Sequence, residues 1–197
     1  VNKWWLGIAL VFAVIAVILI INLTNRPRPD MIVLVIGENY TLGEESGLAE
    51  YTASFAEDFN GNGETLVSIY YIPYTNIETK NYANGVDTNL TIELNSAHAV
   101  ILIGNELTED VLFDDSLVDL SEIYPDNEHI NKDKFMLSGT DFAEKIGLQK
   151  NQISDDWFIS IRTPKKLLYS ELDEMQEVYD RDFVVFDSII KDLSETE

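Results

Sequence analysis

The chain has 197 residues, of which 35 are acidic and only 13 are Lys or Arg, giving a formal net charge of −22 at pH 7. A surface this negative repels phosphate groups, which argues against nucleic acid and anionic lipid head groups as partners. The chain contains no cysteine, so disulfides, thiol catalysis and thiolate metal sites are excluded.

The first element is an apolar run from Trp4 to Leu23 that contains no ionisable side chain. Twenty helical residues span about 30 Å, the thickness of the bilayer's hydrocarbon core, so the run predicts a transmembrane helix. A core helix or a cleaved signal sequence is the alternative, but the run has neither a polar face nor a small-x-small cleavage site. The predicted domains are an anchor with its exit linker over residues 1–29 and an acidic extracytoplasmic α/β domain over residues 30–197.

The flanking charges bear on which side of a membrane this domain lies. Lys3 precedes the apolar run, whereas Arg26 and Arg28 follow it, and the positive-inside rule taken literally keeps the domain in the cytoplasm. The lack of cysteine instead favours export. We expect a single-pass protein of the cell membrane with its C-terminal domain outside. The expected partners are the membrane, through Trp4 to Leu23, and an envelope protein or small-molecule ligand.

Within the domain, short β-branched runs alternate with stretches of helical spacing, which is typical of an α/β fold. The predicted strands cover residues 31–36, 66–72, 99–104 and 157–162. The predicted helices cover residues 44–59, 89–96, 108–113 and 170–193, with a loop over residues 74–89. Because the first and third strands are apolar on both faces, we predict a mainly parallel, roughly four-stranded sheet covered by helices.

The ends of the predicted strands suggest a ligand site. Open α/β sheets bind ligands in the crevice at the carboxyl ends of their strands. The candidate ligand-binding residues follow the first and third strands or end the fourth: Glu38, Asn39, Asn105, Glu106 and Arg162. Convergence of these side chains in one pocket would favour ligand binding, and a scattered arrangement would favour a protein-interaction surface.

The segment over residues 58–64 resembles the opening of a calcium-binding loop, because side-chain oxygens recur at alternate positions. The candidate calcium ligands are Asp58, Asn60, Asn62 and Glu64. The twelfth position of such a loop should carry a bidentate carboxylate, but here it is Ile69. Asn, Asp and Gly are also ordinary turn residues, so the segment predicts either a turn or a weak calcium site.

Catalytic motifs are scarce. The two histidines, His98 and His129, lie at a strand edge and in a polar loop, where a structural or solvated role is expected. The sequence has no nucleophile elbow, no phosphate-binding loop and no His-x-x-x-His pair. No catalytic residue is therefore predicted. A carboxylate-based or divalent-metal-dependent enzyme at the cell surface is the alternative to a role in binding or envelope assembly.

Several segments carry a family resemblance. They are Pro29-Asp-Met-Ile-Val-Leu-Val-Ile-Gly37 and Glu57-Asp-Phe-Asn-Gly-Asn-Gly63, together with residues 118–125, 137–143 and 159–164. With the apolar run before them, they resemble uncharacterised membrane-anchored extracytoplasmic proteins of Gram-positive Firmicutes. Such proteins look distantly similar to one lobe of extracellular solute-binding proteins. The resemblance implies a non-enzymatic α/β domain, but no ligand-binding residue is carried over, because a complete solute-binding protein has two lobes.

Overall fold

The computed structural model describes residues 3–24, 28–38, 42, 46–73, 99–109, 112, 116–164 and 172–195. The strands of its sheet are β1 (Met31–Gly37), β2 (Val67–Pro73), β3 (Ala99–Gly104), β4 (Ile130–Asn131), β5 (Lys134–Met136) and β6 (Phe158–Ile161). The helices are α1 (Lys3–Thr24), α2 (Leu48–Ala53), α3 (Glu106–Glu109), α4 (Phe142–Lys145) and α5 (Leu172–Ser194). Two 3-10 turns lie at Leu120–Glu122 and Lys150–Gln152. The strand order is β2-β1-β3-β6-β5-β4.

Strands β2, β1 and β3 form a parallel half-sheet, which we call the parallel half. Met31 pairs with Val67 and Ile32 with Ala99, so β1 lies between its two partners. Every residue of β3 is buried, and only Ile32 of β1 is partly exposed. An apolar run can bury both faces only at the centre of a covered sheet, which is why these runs form central strands. The α/β class is confirmed.

Strands β6, β5 and β4 form the antiparallel half, and here the predicted mainly parallel sheet of roughly four strands is wrong. Gly104 pairs with Phe158, so β6 runs antiparallel to β3. Strand β5 continues antiparallel to β6, and β4 and β5 form a hairpin in which Lys132 has a φ of 57°. The sheet is therefore mixed and six-stranded. Strands of two or three residues are too short to show a period-two apolar pattern, so no sequence pattern predicts them.

The prediction of an N-terminal transmembrane helix also requires correction. Among the residues that the structure describes, no helix combines the length and the apolar character needed to cross a membrane. The backbone of α1 is helical over Lys3–Thr24.

The helices of the domain pack against the sheet with their apolar sides. Helix α5 confirms the helix predicted over residues 170–193, and its inner side is formed by Val185, Phe186, Ile189, Ile190 and Leu193. Helix α2 is shorter than the predicted helix over residues 44–59, and α3 lies slightly before the helix predicted over residues 108–113. The predicted loop over residues 74–89 and helix over residues 89–96 lie outside the described residues.

Candidate ligand-binding site

Three of the predicted ligand-binding residues lie at the carboxyl end of the parallel half. Glu38 directly follows β1 and is exposed, whereas Asn105 directly follows β3 and is buried. Glu106 begins α3 and is exposed. Asn39 lies outside the described residues. The structure thus brings these positions to the edge where parallel α/β sheets place their ligands.

Arg162 lies at the opposite end of β3. Its backbone N–H donates to Val100 O at 2.9 Å, and its guanidinium donates to Ala99 O at 3.0 Å. Because β3 rises about 3.3 Å per residue, its two ends are roughly 16 Å apart. The structure does not bring Arg162 together with Asn105 and Glu106. Arg162 is almost fully buried and ties the end of β6 to the start of β3.

Asn105 and Thr108 form hydrogen bonds at the carboxyl end of β3, where α3 begins. The backbone N–H of Asn105 donates to Thr108 Oγ1 at 3.0 Å, and that hydroxyl lies 3.1 Å from Ile36 O, an acceptor on β1. Gly104 is required here, because a Cβ on this residue would lie 2.7 Å from Thr108 Oγ1. Asn105 therefore has a structural partner, and of the predicted set Glu106 is the residue that lines an adjacent cavity.

This cavity, which we call the β3-end cavity, has a volume of about 240 Å³ and lies beside the antiparallel half, where Glu106 follows the carboxyl end of β3. Its walls come from α3, β4, β5, β6 and the turn before β6: Glu106, Asn131, Lys134, Met136, Asp156 and Phe158. The Lys134 ammonium lies 5.1 Å from the centre of the Phe158 ring, a cation–π geometry that positions this charge. The cavity thus combines two carboxylates, one ammonium, one amide and two apolar side chains.

Asp156 links the turn before β6 to α3. Its Oδ2 accepts a long 3.4 Å hydrogen bond from the backbone N–H of Glu106, and its Oδ1 accepts one from the Ser154 hydroxyl. The carboxylate is therefore held at the mouth of the cavity. Sequence reasoning missed Lys134, Asp156 and Phe158. The sequence predicts a strand that contains Phe158 but does not predict the neighbouring β5. It therefore does not place Lys134 beside the Phe158 ring.

The four candidate calcium ligands lie in a turn whose backbone N–H groups donate to its own side-chain oxygens. Asp58 accepts hydrogen bonds from the N–H groups of Asn62 at 3.1 Å and Gly63 at 2.7 Å. Asn60 Oδ1 accepts from Asn62 N, and Asn62 Oδ1 accepts from Glu64 N. Across the described part of the chain, no group of three or more His, Cys, Asp or Glu side chains is placed to hold a metal ion.

Asp30 braces the same turn from the start of the domain. Its carboxylate accepts from Asn60 N at 2.9 Å and from Leu66 N at 2.8 Å, and its own N–H donates to Leu66 O. These bonds fix the turn against β1 and β2. They account for its shape without an ion, since Asx side chains commonly satisfy turn N–H groups in this way.

The strongest electrostatic perturbation among the described carboxyl groups lies away from the cavity, on α5. Asp182 is fully buried, and its Oδ1 accepts from Arg181 Nε at 3.0 Å. Among described residues its Oδ2 has no hydrogen-bond partner. Burial raises the pKa of Asp182 to about 7, although the Arg181 guanidinium acts in the opposite direction.

A second polar cluster joins α2, α4 and α5. The Tyr51 hydroxyl and the Lys145 ammonium both donate to Asp192 Oδ2, at 2.7 and 2.6 Å. Burial and the bond to Asp192 raise the pKa of the Tyr51 hydroxyl. Burial alone raises the pKa of Asp192, but the bonds from Lys145 and Tyr51 outweigh it, so the net shift is downward. No nucleophile is activated by this arrangement, which serves to fix the helices.

Neither histidine is placed in a catalytic arrangement by what the structure describes. His98 lies outside the described residues. The His129 ring packs 5.5 Å from the ring of Phe135, and a Cβ at Gly139 would lie 3.3 Å from its Cε1. His129 therefore serves as a packing residue beside the buried Phe135 of the β4–β5 hairpin.

Comparison with known proteins adds no assignment, since no family model, curated protein or solved structure matches this chain. What the molecule does has to be argued from its own geometry. The β3-end cavity is the place where charge, shape and position in the fold coincide, because it lies at the carboxyl end of a parallel strand and carries charges of both signs.

Proposed function

We propose that this protein binds a small polar ligand in the β3-end cavity and has no catalytic role. The observation that carries the proposal is the set of side chains lining the cavity, which includes charges of both signs but no hydroxyl, thiol or imidazole group. Such walls orient a charged ligand, yet they contain no hydroxyl or thiol nucleophile and no histidine base. The carboxylate of Asp156 is already engaged by Glu106 N and Ser154 Oγ.

A panel of small solutes tests this function. The full-length protein in a neutral detergent should melt at a higher temperature with at least one cationic, zwitterionic or sugar solute, because a ligand that binds only the folded state stabilises it. At a hundred times its dissociation constant, such a ligand adds about 2.7 kcal/mol. If no member of the panel raises the melting temperature, the proposed binding function is overturned.

We further propose that α1 holds the protein at the cell membrane through contact with lipid, with the domain outside. The described side chains of α1 are apolar and exposed, as in Trp4 at 80%, Leu10 at 69% and Phe12 at 68%. Water solvates such a surface poorly, and burying each CH₂ group contributes about 0.8 kcal/mol. This proposal concerns lipid contact and not a membrane span.

Flotation with phosphatidylcholine vesicles tests the lipid contact. These vesicles carry no net charge, so the acidic domain neither attracts nor repels them. The full-length protein should float with the vesicles, and Val11→Asp combined with Ile15→Asp should leave most of it at the bottom of the gradient. Val184→Asp, which changes a residue of α5 that is 62% exposed, is the matched control and should float normally. Equal flotation of all three proteins would contradict the proposal.

Calcium binding by the turn over residues 58–64 is a second candidate function. In its favour, Gly63 occupies the sixth position with a φ of 89°, where calcium loops require a sharp turn, and Asp58 occupies the first position. A saturable rise in melting temperature with calcium, lost in Asp58→Asn but retained in Glu57→Gln, would support it. An equal rise with magnesium or with sodium chloride at matched ionic strength would reduce the segment to a turn.

A further inference from the structure

We propose that Asn60 is a site of spontaneous covalent modification, at which the backbone nitrogen of Gly61 attacks the side-chain amide and converts Asn60 into aspartate or isoaspartate. The inference is independent of the proposed binding function and concerns the turn over residues 58–64. That turn contains two exposed Asn-Gly pairs, Asn60-Gly61 and Asn62-Gly63. Glycine has no Cβ that would hinder such an attack.

The reaction needs water and no other reactant. The Gly61 nitrogen loses its proton to solvent base and bonds to Cγ of Asn60, while the Cγ–Nδ2 bond breaks and ammonia leaves. Water then opens the resulting five-membered imide at either of its carbonyl groups. The product is an aspartate in the original backbone or an isoaspartate, in which the backbone runs through the former side chain. The net change is the gain of water and the loss of ammonia.

The nucleophilic nitrogen is open in the first pair and held in the second. In the part of the chain that the structure describes, the N–H of Gly61 donates to no acceptor. The N–H of Gly63, in contrast, donates to Asp58 Oδ2 at 2.7 Å. A bond to a carboxylate is charge-assisted and therefore of the stronger kind, so it keeps this proton on the nitrogen. The attack is thus favoured at Asn60 and suppressed at Asn62.

The side-chain carbonyl of Asn60 is polarised for the attack. Its Oδ1 accepts from the backbone N–H of Asn62 at 3.0 Å, and a fixed donor stabilises the negative charge that develops on this oxygen. Its Nδ2 donates to Arg28 O at 2.9 Å, a bond between neutral groups at an exposed site. Such a bond is weaker than the one that holds Gly63. Asn62 Oδ1 also accepts an N–H, from Glu64, so the nucleophile is what distinguishes the two pairs.

The modification should loosen the turn from the start of the domain. The amide of Asn60 donates to Arg28 O, whereas a carboxylate in its place has no proton to donate. The backbone N–H groups of Asn60 and Leu66 both donate to the Asp30 carboxylate. An isoaspartate lengthens the backbone between these two N–H groups. The bonds that fix the turn against β1 and β2 should therefore weaken.

Peptide mapping of the aged full-length protein tests the proposal. The protein is incubated in neutral detergent and mildly alkaline buffer, then digested with pepsin in acid, which stops the reaction. Fragmentation in a mass spectrometer locates the mass gain that accompanies conversion of the amide to an acid. We expect Asn60 to react at least about tenfold faster than Asn62, a factor typical of a charge-assisted hydrogen bond.

The same protein unfolded in urea is the reference. There the bond to Asp58 is lost, and the two Asn-Gly pairs should react at similar rates. Equal rates in the folded protein, a faster reaction at Asn62, or no reaction at Asn60 while the unfolded protein reacts would each overturn the proposal.

Two variants assign the protection of Asn62 to Asp58. Asp58→Ala removes the acceptor of the Gly63 N–H and should raise the Asn62 rate relative to the Asn60 rate, whereas general loosening of the turn would raise both together. Glu57→Gln removes a neighbouring exposed carboxylate and is the matched control, in which both rates should stay unchanged. If Asn62 stays slower than Asn60 by the same factor in Asp58→Ala, the bond to Gly63 does not set the difference and the proposal is overturned.

Discussion

The centre of the sheet and its β4–β5 edge are held in different ways. At the centre, β1 and β3 bury side chains on both faces, and their apolar residues belong to two separate core clusters. All four residues of the adjoining β6 are also buried. At the edge, β4 has no fully buried residue and β5 buries only Phe135. Polar bonds supplement the packing there, as where the Ser160 hydroxyl donates to Asp133 O. The centre is thus held by apolar burial, and the β4–β5 hairpin by a few anchors.

This difference in packing indicates which segments of the domain open locally most readily. Segments with few buried apolar contacts open locally at a lower free energy than the core strands. The β3-end cavity has walls of both kinds, with Glu106 after the buried β3 and Lys134 on the less deeply packed β5. A ligand that contacts both would join the hairpin to the core, so binding should slow hydrogen exchange in β4 and β5 more than in β1.

The largest expected effect comes from the centre of the whole sheet, at β3. Leu102 is fully buried, so Leu102→Ala should lower the free energy of unfolding by about 2–5 kcal/mol through lost burial and the cavity left behind. Leu66→Ala makes the same change just before β2, at a residue that is 36% exposed, and should cost less than half as much. Urea denaturation followed by tryptophan fluorescence measures both. Equal losses of unfolding free energy in the two variants would contradict the difference between the buried centre of the sheet and its exposed periphery.

Asp182 on α5 should give the next largest effect, through pH. Because its pKa is raised to about 7, the folded state binds the proton more tightly than the unfolded chain, whose value is near 3.9. Stability contributed by this group is therefore complete at low pH and falls as pH rises toward 7, by on the order of a few kcal/mol. Asp182→Asn should flatten the pH dependence between pH 5 and 7 in denaturation experiments. Asp180→Asn, an exposed neighbour, should leave the slope unchanged.

Gly104 tests how tightly β3 is closed against α3. An added Cβ would meet the side chain of Thr108 at 2.7 to 3.0 Å, so Gly104→Ala should destabilise the domain by about 1–3 kcal/mol. The substitution should also weaken ligand binding in the β3-end cavity, because Glu106 lies two residues beyond Gly104. Gly7→Ala on α1 has no described atom within 4 Å of the new Cβ and should not destabilise the protein, because alanine is also the better helix former. Thermal melts of both variants check the difference.

The smallest effect concerns the cluster that joins α2, α4 and α5. Tyr51→Phe removes a 2.7 Å bond to Asp192 and should cost about 1 kcal/mol, because the site is only partly buried. The lowered pKa of Asp192 means that its stabilisation is present above pH 4 and is lost as pH falls through its folded value. The cost of Tyr51→Phe should therefore shrink in acid. Tyr70→Phe, at an exposed residue of β2, should show no such change.

The same contrast explains what could be predicted from the sequence. Long apolar runs such as residues 31–36 and 99–104 identify central strands, because burial on both faces leaves a continuous signal. The β4–β5 hairpin leaves no such signal, since its position depends on the turn at Lys132 and on pairing with β6. The residues of the site differ in the same way in how far the sequence predicts them. Glu106 follows a predictable strand, whereas Lys134 reaches the cavity only through a strand pairing that local sequence does not encode.

The most direct test of the account is to locate the bound ligand. Amide correlation spectra of the full-length protein in detergent micelles should be recorded during titration with the solute of the panel that raises the melting temperature most. Binding in the β3-end cavity predicts saturable shifts at the amides of Glu106, Lys134 and Asp156 and at the side-chain amide of Asn131. Shifts centred on residues 124–129, or no saturable shift at all, would contradict the central claim that the molecule binds its ligand in the β3-end cavity.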